Sequence, residues 1–334
     1  MRITRDKLLK FAEAAVMQRV HNDRHLVCVY LTGSLLDSEP LLGGSTDIDL
    51  IFVHDSEPAA PREITRINNE VTLDIANISQ QVFHHPRRLR QDPWWGSFLC
   101  ENPVALHDNQ HWFEFTQASV CAQFNLSENI NSRARPMAES ARQRWAGLSL
   151  APVFTPPKVL EYLCSLKEAA NTLACLSGPP LTLRRFMLKF PSRVEALGRP
   201  GMAEGLADLF TTDSSPAQAP VFAAWNEALA AVGMQSSCPP NLLPCRAGYF
   251  HGAAEALWTE EYPAAAWIIL NTWVRALCAL GDPQNLRPAW EESCRYFGLS
   301  ADLFEKRIEE LDAYLDSVEE TLDMWGFKNG VLSK

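Results

Sequence analysis

The sequence predicts a small α/β domain followed by an all-α helical domain, and three observations support that expectation. Three short runs rich in β-branched and aromatic residues fall early in the chain, at 25–31 (HLVCVYL), 48–53 (IDLIFV) and 71–78 (VTLDIANI). From about residue 110 onward, apolar side chains recur at helical spacing almost to the end. Pro and Gly interrupt that helical pattern often enough to divide it into separate helices. A chain of 334 residues, 47% hydrophobic and 21% charged, can bury a sizeable core and divides naturally into two domains, expected at 1–115 and 116–334.

Each element has its own warrant. Residues 3–20 place Leu8, Leu9, Phe11, Ala12, Ala15, Val16 and Val20 at helical spacing with charges between them, the pattern of an amphipathic helix. The three β-rich runs are bounded by Gly, Asp, Ser or Pro and read as strands of one sheet, with 104–107 a candidate fourth ahead of Asp108. Helices are expected at about 110–125, 132–147, 157–177, 181–197, 216–233, 246–259, 263–280, 286–297 and 300–325. The last carries Phe304, Ile308, Leu311, Leu315, Val318, Leu322 and Trp325 at alternating spacings of four and three, the seam of a heptad pattern. With only three heptads, packing onto the preceding helices is favoured, and a homodimer through 300–325 is the competing reading.

Composition excludes several classes of function. Net charge is −10, with 15 basic and 18 acidic side chains in residues 1–150 and 15 against 22 in the remainder. Neither half offers the clustered Lys and Arg that grip phosphates along a polymer, so no nucleic acid partner is expected. No stretch of about 18 apolar residues is free of charge, and the amino terminus lacks a continuous apolar run. A cytoplasmic protein with no membrane partner is therefore expected. The nine cysteines are scattered and form no C-x-x-C pair, which predicts reduced thiols behaving as small buried hydrophobes.

The chemistry-bearing residues interrupt the predicted strands. Alternation puts Asp47 and Asp49 on one face of their strand and Ile48 and Leu50 on the other. Two adjacent carboxylates repel and resist burial unless a cation compensates them, and an oxygen-rich pair suits Mg²⁺. Taken alone, the pair would suit a strand opening in which Asp47 caps the loop and Asp49 faces water. Asp74 adds a third acid in another apolar strand, and Gly33-Ser34 ends the first strand in a turn whose N–H groups and hydroxyl suit phosphate.

In that order, Gly33-Ser34, a spacer, Asp47-x-Asp49 and a later strand acid at Asp74 resemble the signature of the DNA polymerase β superfamily of nucleotidyltransferases. The motif covers about residues 28–78. The two-domain organisation further resembles the aminoglycoside nucleotidyltransferases and their relatives. The resemblance implies an α/β (α+β) nucleotidyltransferase domain with a short mixed sheet, and a helical domain that binds the acceptor. It further implies Asp47, Asp49 and Asp74 as catalytic and metal-binding residues, two Mg²⁺ ions with bound nucleotide, and Gly33 and Ser34 as contacts to a nucleoside triphosphate, ATP by default. The spacer of twelve residues is long, so a remodelled loop is expected over 37–46.

Helical domains of this superfamily often lend a basic residue to the triphosphate, and Lys167, Arg184 and Arg185 are the candidates here. Lys167 draws notice because it interrupts an otherwise apolar helix, where a charge needs a partner or a cleft. The expected reaction is transfer of a nucleoside monophosphate to a hydroxyl-type acceptor, expected to be a small molecule. A protein-modifying enzyme and a non-catalytic nucleotide-binding protein of the same fold are the alternatives. His107 and His111, four apart, read as structural rather than as zinc ligands, and His84-His85-Pro86 with Arg87, Arg88 and Arg90 read as a solvated loop.

Overall fold

The computed structural model describes residues 3–37, 39–212 and 216–333. The chain divides into two units, Met1–Leu126 and Ser127–Lys334. The division falls later than the expected 115/116 because a helix at Trp112–Cys121 stays with the sheet: its Phe113 and Val120 belong to the core that contains Tyr30 and Val53.

The first unit begins with α1 (Arg5–Asn22), which turns Leu8, Ala12 and Val16 inward at four-residue spacing. Five strands follow: β1 (Leu26–Thr32), β2 (Thr46–His54), β3 (Arg62–Arg66), β4 (Val71–Ser79) and β5 (Val104–Asp108). They lie in the order β3-β4-β2-β1-β5, with β2 parallel to β4 and the other pairs antiparallel, so the sheet is mixed as expected. A core lies on each face. One contains Leu8, Leu31, Ile48, Leu50, Phe52 and Ile75. The other contains Tyr30, Ile51, Val53, Ile78, Phe83 and Leu99.

β3 departs from the sequence reading, which placed no strand there. It is a five-residue edge strand, REITR, in which only Ile64 is apolar, so neither a hydrophobic run nor a buried face marks it. The turn that joins it to β4 is held by Asn68, whose side-chain oxygen accepts from the backbone N–H groups of Glu70 and Val71 at 2.8 and 2.9 Å.

After β4 come two short helices, α2 (Pro86–Gln91), where the sequence suggested a solvated loop, and α3 (Trp95–Cys100). Pro86 occupies the first helical position of α2, where its missing N–H costs nothing. Asp92 opens α3 by accepting from the N–H groups of Trp94 and Trp95. The helix Trp112–Cys121 is α4, entered through Asp108, which accepts from the Phe113 N–H at 2.8 Å. His107 lies in β5, and His111 pairs with Glu114.

The expectation of nine reduced cysteines is overturned at one pair. Cys100 at the end of α3 and Cys121 at the end of α4 form a disulfide, with their Cα atoms 5.4 Å apart. They lie 21 positions apart in sequence, and only the packing of α3 against α4 brings them together.

The second unit is helical: α5 (Ser127–Ser149), α6 (Pro156–Ser177), α7 (Phe186–Ala196), α8 (Gly201–Asp208), α9 (Gln218–Gly233), α10 (Pro244–Leu257), α11 (Tyr262–Ala279), α12 (Arg287–Tyr296) and α13 (Phe304–Lys328). The short α8, with glycines at 201 and 205, lies outside the expected helices. On α13 the stripe Phe304, Ile308, Leu311, Leu315, Val318 and Leu322 is buried within the unit, where α13 packs on α5 and α6. Arg142 of α5 reinforces that contact by reaching Asp312, Asp316 and Glu319. A homodimer through this seam would have to displace α5 and α6. No helix among the described residues is long and apolar enough to cross a membrane.

Candidate active site

β2 and β4 run side by side in parallel register, with Asp49 opposite Asp74 and Asp47 opposite Thr72. Residues paired across a parallel ladder point to the same face, so alternation along β2 puts Asp47, Asp49 and Asp74 together. One carboxylate oxygen of each lies within 4.8 Å of the others. Asp47 and Asp74 are 5% and 4% exposed, while Asp49 is half-buried. Three carboxylate oxygens gathered this closely could hold a hard, oxygen-ligated cation.

Gly33-Ser34 stands directly beside the acids. β1 pairs with β2 so that Thr32 lies opposite Asp49, and the chain then enters a 3₁₀ turn at Gly33–Leu36. Gly33 has φ +76°, and a Cβ built on it would lie 2.0 Å from Asp49 Oδ2. Glycine therefore satisfies two demands at once, a left-handed backbone and room for the carboxylate. The turn is braced from α1, where Arg5 Nε donates to the Leu35 carbonyl at 3.0 Å. Within the expected remodelled loop, Leu42 and Ser45 exchange backbone hydrogen bonds around Gly43 and Gly44, both with positive φ. That is a tight hairpin turn feeding β2; Ser38 of the same loop lies outside the described residues.

The site also contains a residue that the sequence reading missed. Arg62 Nε and Nη2 donate to Asp74 Oδ1 and Oδ2 at 2.7 and 2.6 Å, a two-point fork. In the antiparallel pairing of β3 with β4, Ile64 is opposite Asp74, so Arg62, two residues away, faces the same side. A basic residue next to Pro61, a short polar strand and an Asn-Asn turn ahead of Val71 were the available signal.

No family model and no curated protein matches this chain. Among solved structures it is similar to a nucleotidyltransferase-like protein from Exiguobacterium sibiricum 255-15. The identity is 11%, covering 96% of this chain and 92% of that one, with a TM-score of 0.29. Likeness at that level assigns neither family nor activity.

The three basic candidates lie in the second unit. Lys167 is half-buried on α6, next to Glu168, which accepts from Arg144 Nε at 3.1 Å. Arg184 is 6% exposed, with its guanidinium carbon 3.8 Å from the centre of the Tyr249 ring, a cation–π arrangement. Arg185 is half-buried beside it at the start of α7.

Proposed function

We infer that the first unit is the catalytic core of a Mg²⁺-dependent nucleotidyltransferase. It would move a nucleoside monophosphate, AMP in the first instance, from a nucleoside triphosphate to a hydroxyl-type acceptor, preferably a small molecule. The single observation behind this reading is the convergence of Asp47, Asp49 and Asp74 beside the Gly33-Ser34 turn on one face of the sheet. Three acids gathered this closely, two of them buried, carry an electrostatic cost that a cation-dependent function explains.

In this reading Asp47 and Asp49 hold the cations with Asp74, and the Ser34 hydroxyl and turn backbone receive the phosphates. When bound, Mg²⁺ supplies charge neutralisation at the reacting phosphate. The acceptor oxygen attacks the α-phosphorus, the bond to the β-phosphate breaks, and pyrophosphate leaves. Asp74 takes the hydroxyl proton. Rate enhancement comes chiefly from positioning and charge stabilisation.

The deciding experiment measures pyrophosphate release and thermal stabilisation with each nucleoside triphosphate, with and without Mg²⁺. Wild type and Asp47→Asn/Asp49→Asn are compared. Ligand at about 100 times its dissociation constant adds about 2.7 kcal/mol of stability, which the double variant is expected to lose. Nucleotide binding that survives in the double variant would remove the acids from the site. Binding with no pyrophosphate release across a panel of aminoglycoside, nucleoside and polypeptide acceptors would leave a nucleotide-binding protein.

A further inference from the structure

We propose that Arg62 is a built-in counter-cation of the acidic site: it occupies Asp74 while no divalent ion is bound and gives Asp74 up when one enters. The inference rests on the reading of Asp47, Asp49 and Asp74 as cation ligands. It adds a residue and a loading step that the reading does not contain.

Three observations support it. The fork engages both oxygens of Asp74, so a cation shared with Asp47 and Asp49 must take up an oxygen that Arg62 already holds. The two partners differ in freedom. Asp74 has a side chain 4% exposed on β4, which is hydrogen-bonded on both sides by β2 and β3. Arg62 has a side chain 42% exposed at the end of an edge strand, with a long flexible stem. Any exchange of partners therefore moves the arginine and leaves the carboxylate in place.

Charge gives the exchange its direction. Three carboxylates within 4.8 Å of one another repel, and one guanidinium relieves part of that repulsion in the cation-free protein. A divalent ion relieves more of it while contacting all three acids. Arginine and the ion then oppose each other at close range, and the exposed arginine can move away at low desolvation cost. The ion pair thus keeps the cation-free site folded and makes ion entry a competition.

The test is direct Mn²⁺ binding to the full chain, followed by the electron paramagnetic resonance signal of the free ion, with no nucleotide and no turnover. Arg62→Gln is expected to bind Mn²⁺ about ten-fold more tightly than wild type and to melt at a lower temperature without metal. Arg62→Lys keeps the charge but cannot form the fork, so it also binds more tightly than wild type. In an Asp74→Asn background, Arg62→Gln should bring no further gain.

Arg62→Gln binding no more tightly than wild type would make Arg62 a fixed structural partner and overturn the proposal. So would Arg62→Lys matching wild type while Arg62→Gln tightens, because the effect would then be through-space repulsion without exchange. Mn²⁺ binding by neither wild type nor Arg62→Gln would sink the metal reading itself, and the competition with it.

Discussion

On one face of β2, Ile48, Leu50 and Phe52 are each at most 1% exposed and pack with α1; on the other, Asp47 and Asp49 precede Ile51 and Val53. The same strand thus supplies an unbroken apolar row to one side and a row that begins with charge to the other. β4 repeats the arrangement, with Leu73 and Ile75 inside and Asp74 beside the acids of β2. Apolar burial on the α1 face provides stability. The acidic end of the other face spends some of it, and the Arg62 fork on Asp74 offsets part of that cost.

The largest expected effect tests this contrast directly. Phe52→Ala on the α1 face should cost about 3–5 kcal/mol in urea unfolding, because it leaves a cavity in a closed core. Asp49→Ala on the opposite face should leave ligand-free stability unchanged or higher, since it removes one of three mutually repelling charges. A loss for Asp49→Ala comparable to that for Phe52→Ala would erase the distinction between the faces.

A second test separates how the two faces are secured. The helices on the acid-bearing face are tied together by Cys100–Cys121, whereas α1 is held on its own face by apolar packing. Reduction, or Cys100→Ser/Cys121→Ser, should destabilise the first unit by about 3 kcal/mol for a loop of this length. The second unit should be unchanged, because its six cysteines are free thiols. Denaturant unfolding with tryptophan fluorescence, with and without reductant, reads both.

The smallest effect distinguishes the two sides of β3, which turns Arg62 towards the acids and Glu63 the other way. Burial alone would push the Glu63 carboxyl up, but hydrogen bonds from Arg19 and Asn77, and the charges of Arg19 and His54, outweigh it and hold the group below the ordinary carboxylate range. A depressed folded-state value adds stability above the unfolded value of about 4.3, and that contribution disappears as pH falls through the folded one. Melting of Glu63→Gln should therefore fall below wild type at neutral pH by less than about 1 kcal/mol, with the two converging in acid.

Much of this was legible in the linear chain, for reasons visible at individual residues. Asp47 and Asp49 stand out because a carboxylate in an apolar strand has no role in packing. α6 and α11 were expected within a residue or two because their apolar side chains repeat over five turns. Arg62 was not legible, since a short polar edge strand lacks the apolar run that marks a strand. The disulfide was equally hidden, because its partners are joined by the packing of two helices and share no motif.

The sequence by itself determined the succession of an α/β unit and a helical unit, the acidic character of the site and the Gly33-Ser34 turn that ends β1. These follow from local rules: strand alternation, helical periodicity and the conformational freedom of one residue. Only the tertiary structure decided that β4 lies parallel beside β2 in the register that sets Asp74 against Asp49, that Arg62 reaches both oxygens of Asp74, and that the α13 seam is covered by α5 and α6. Each is a pairing between segments distant in the chain. Such pairings are selected by the packing of the whole unit, which no local pattern encodes.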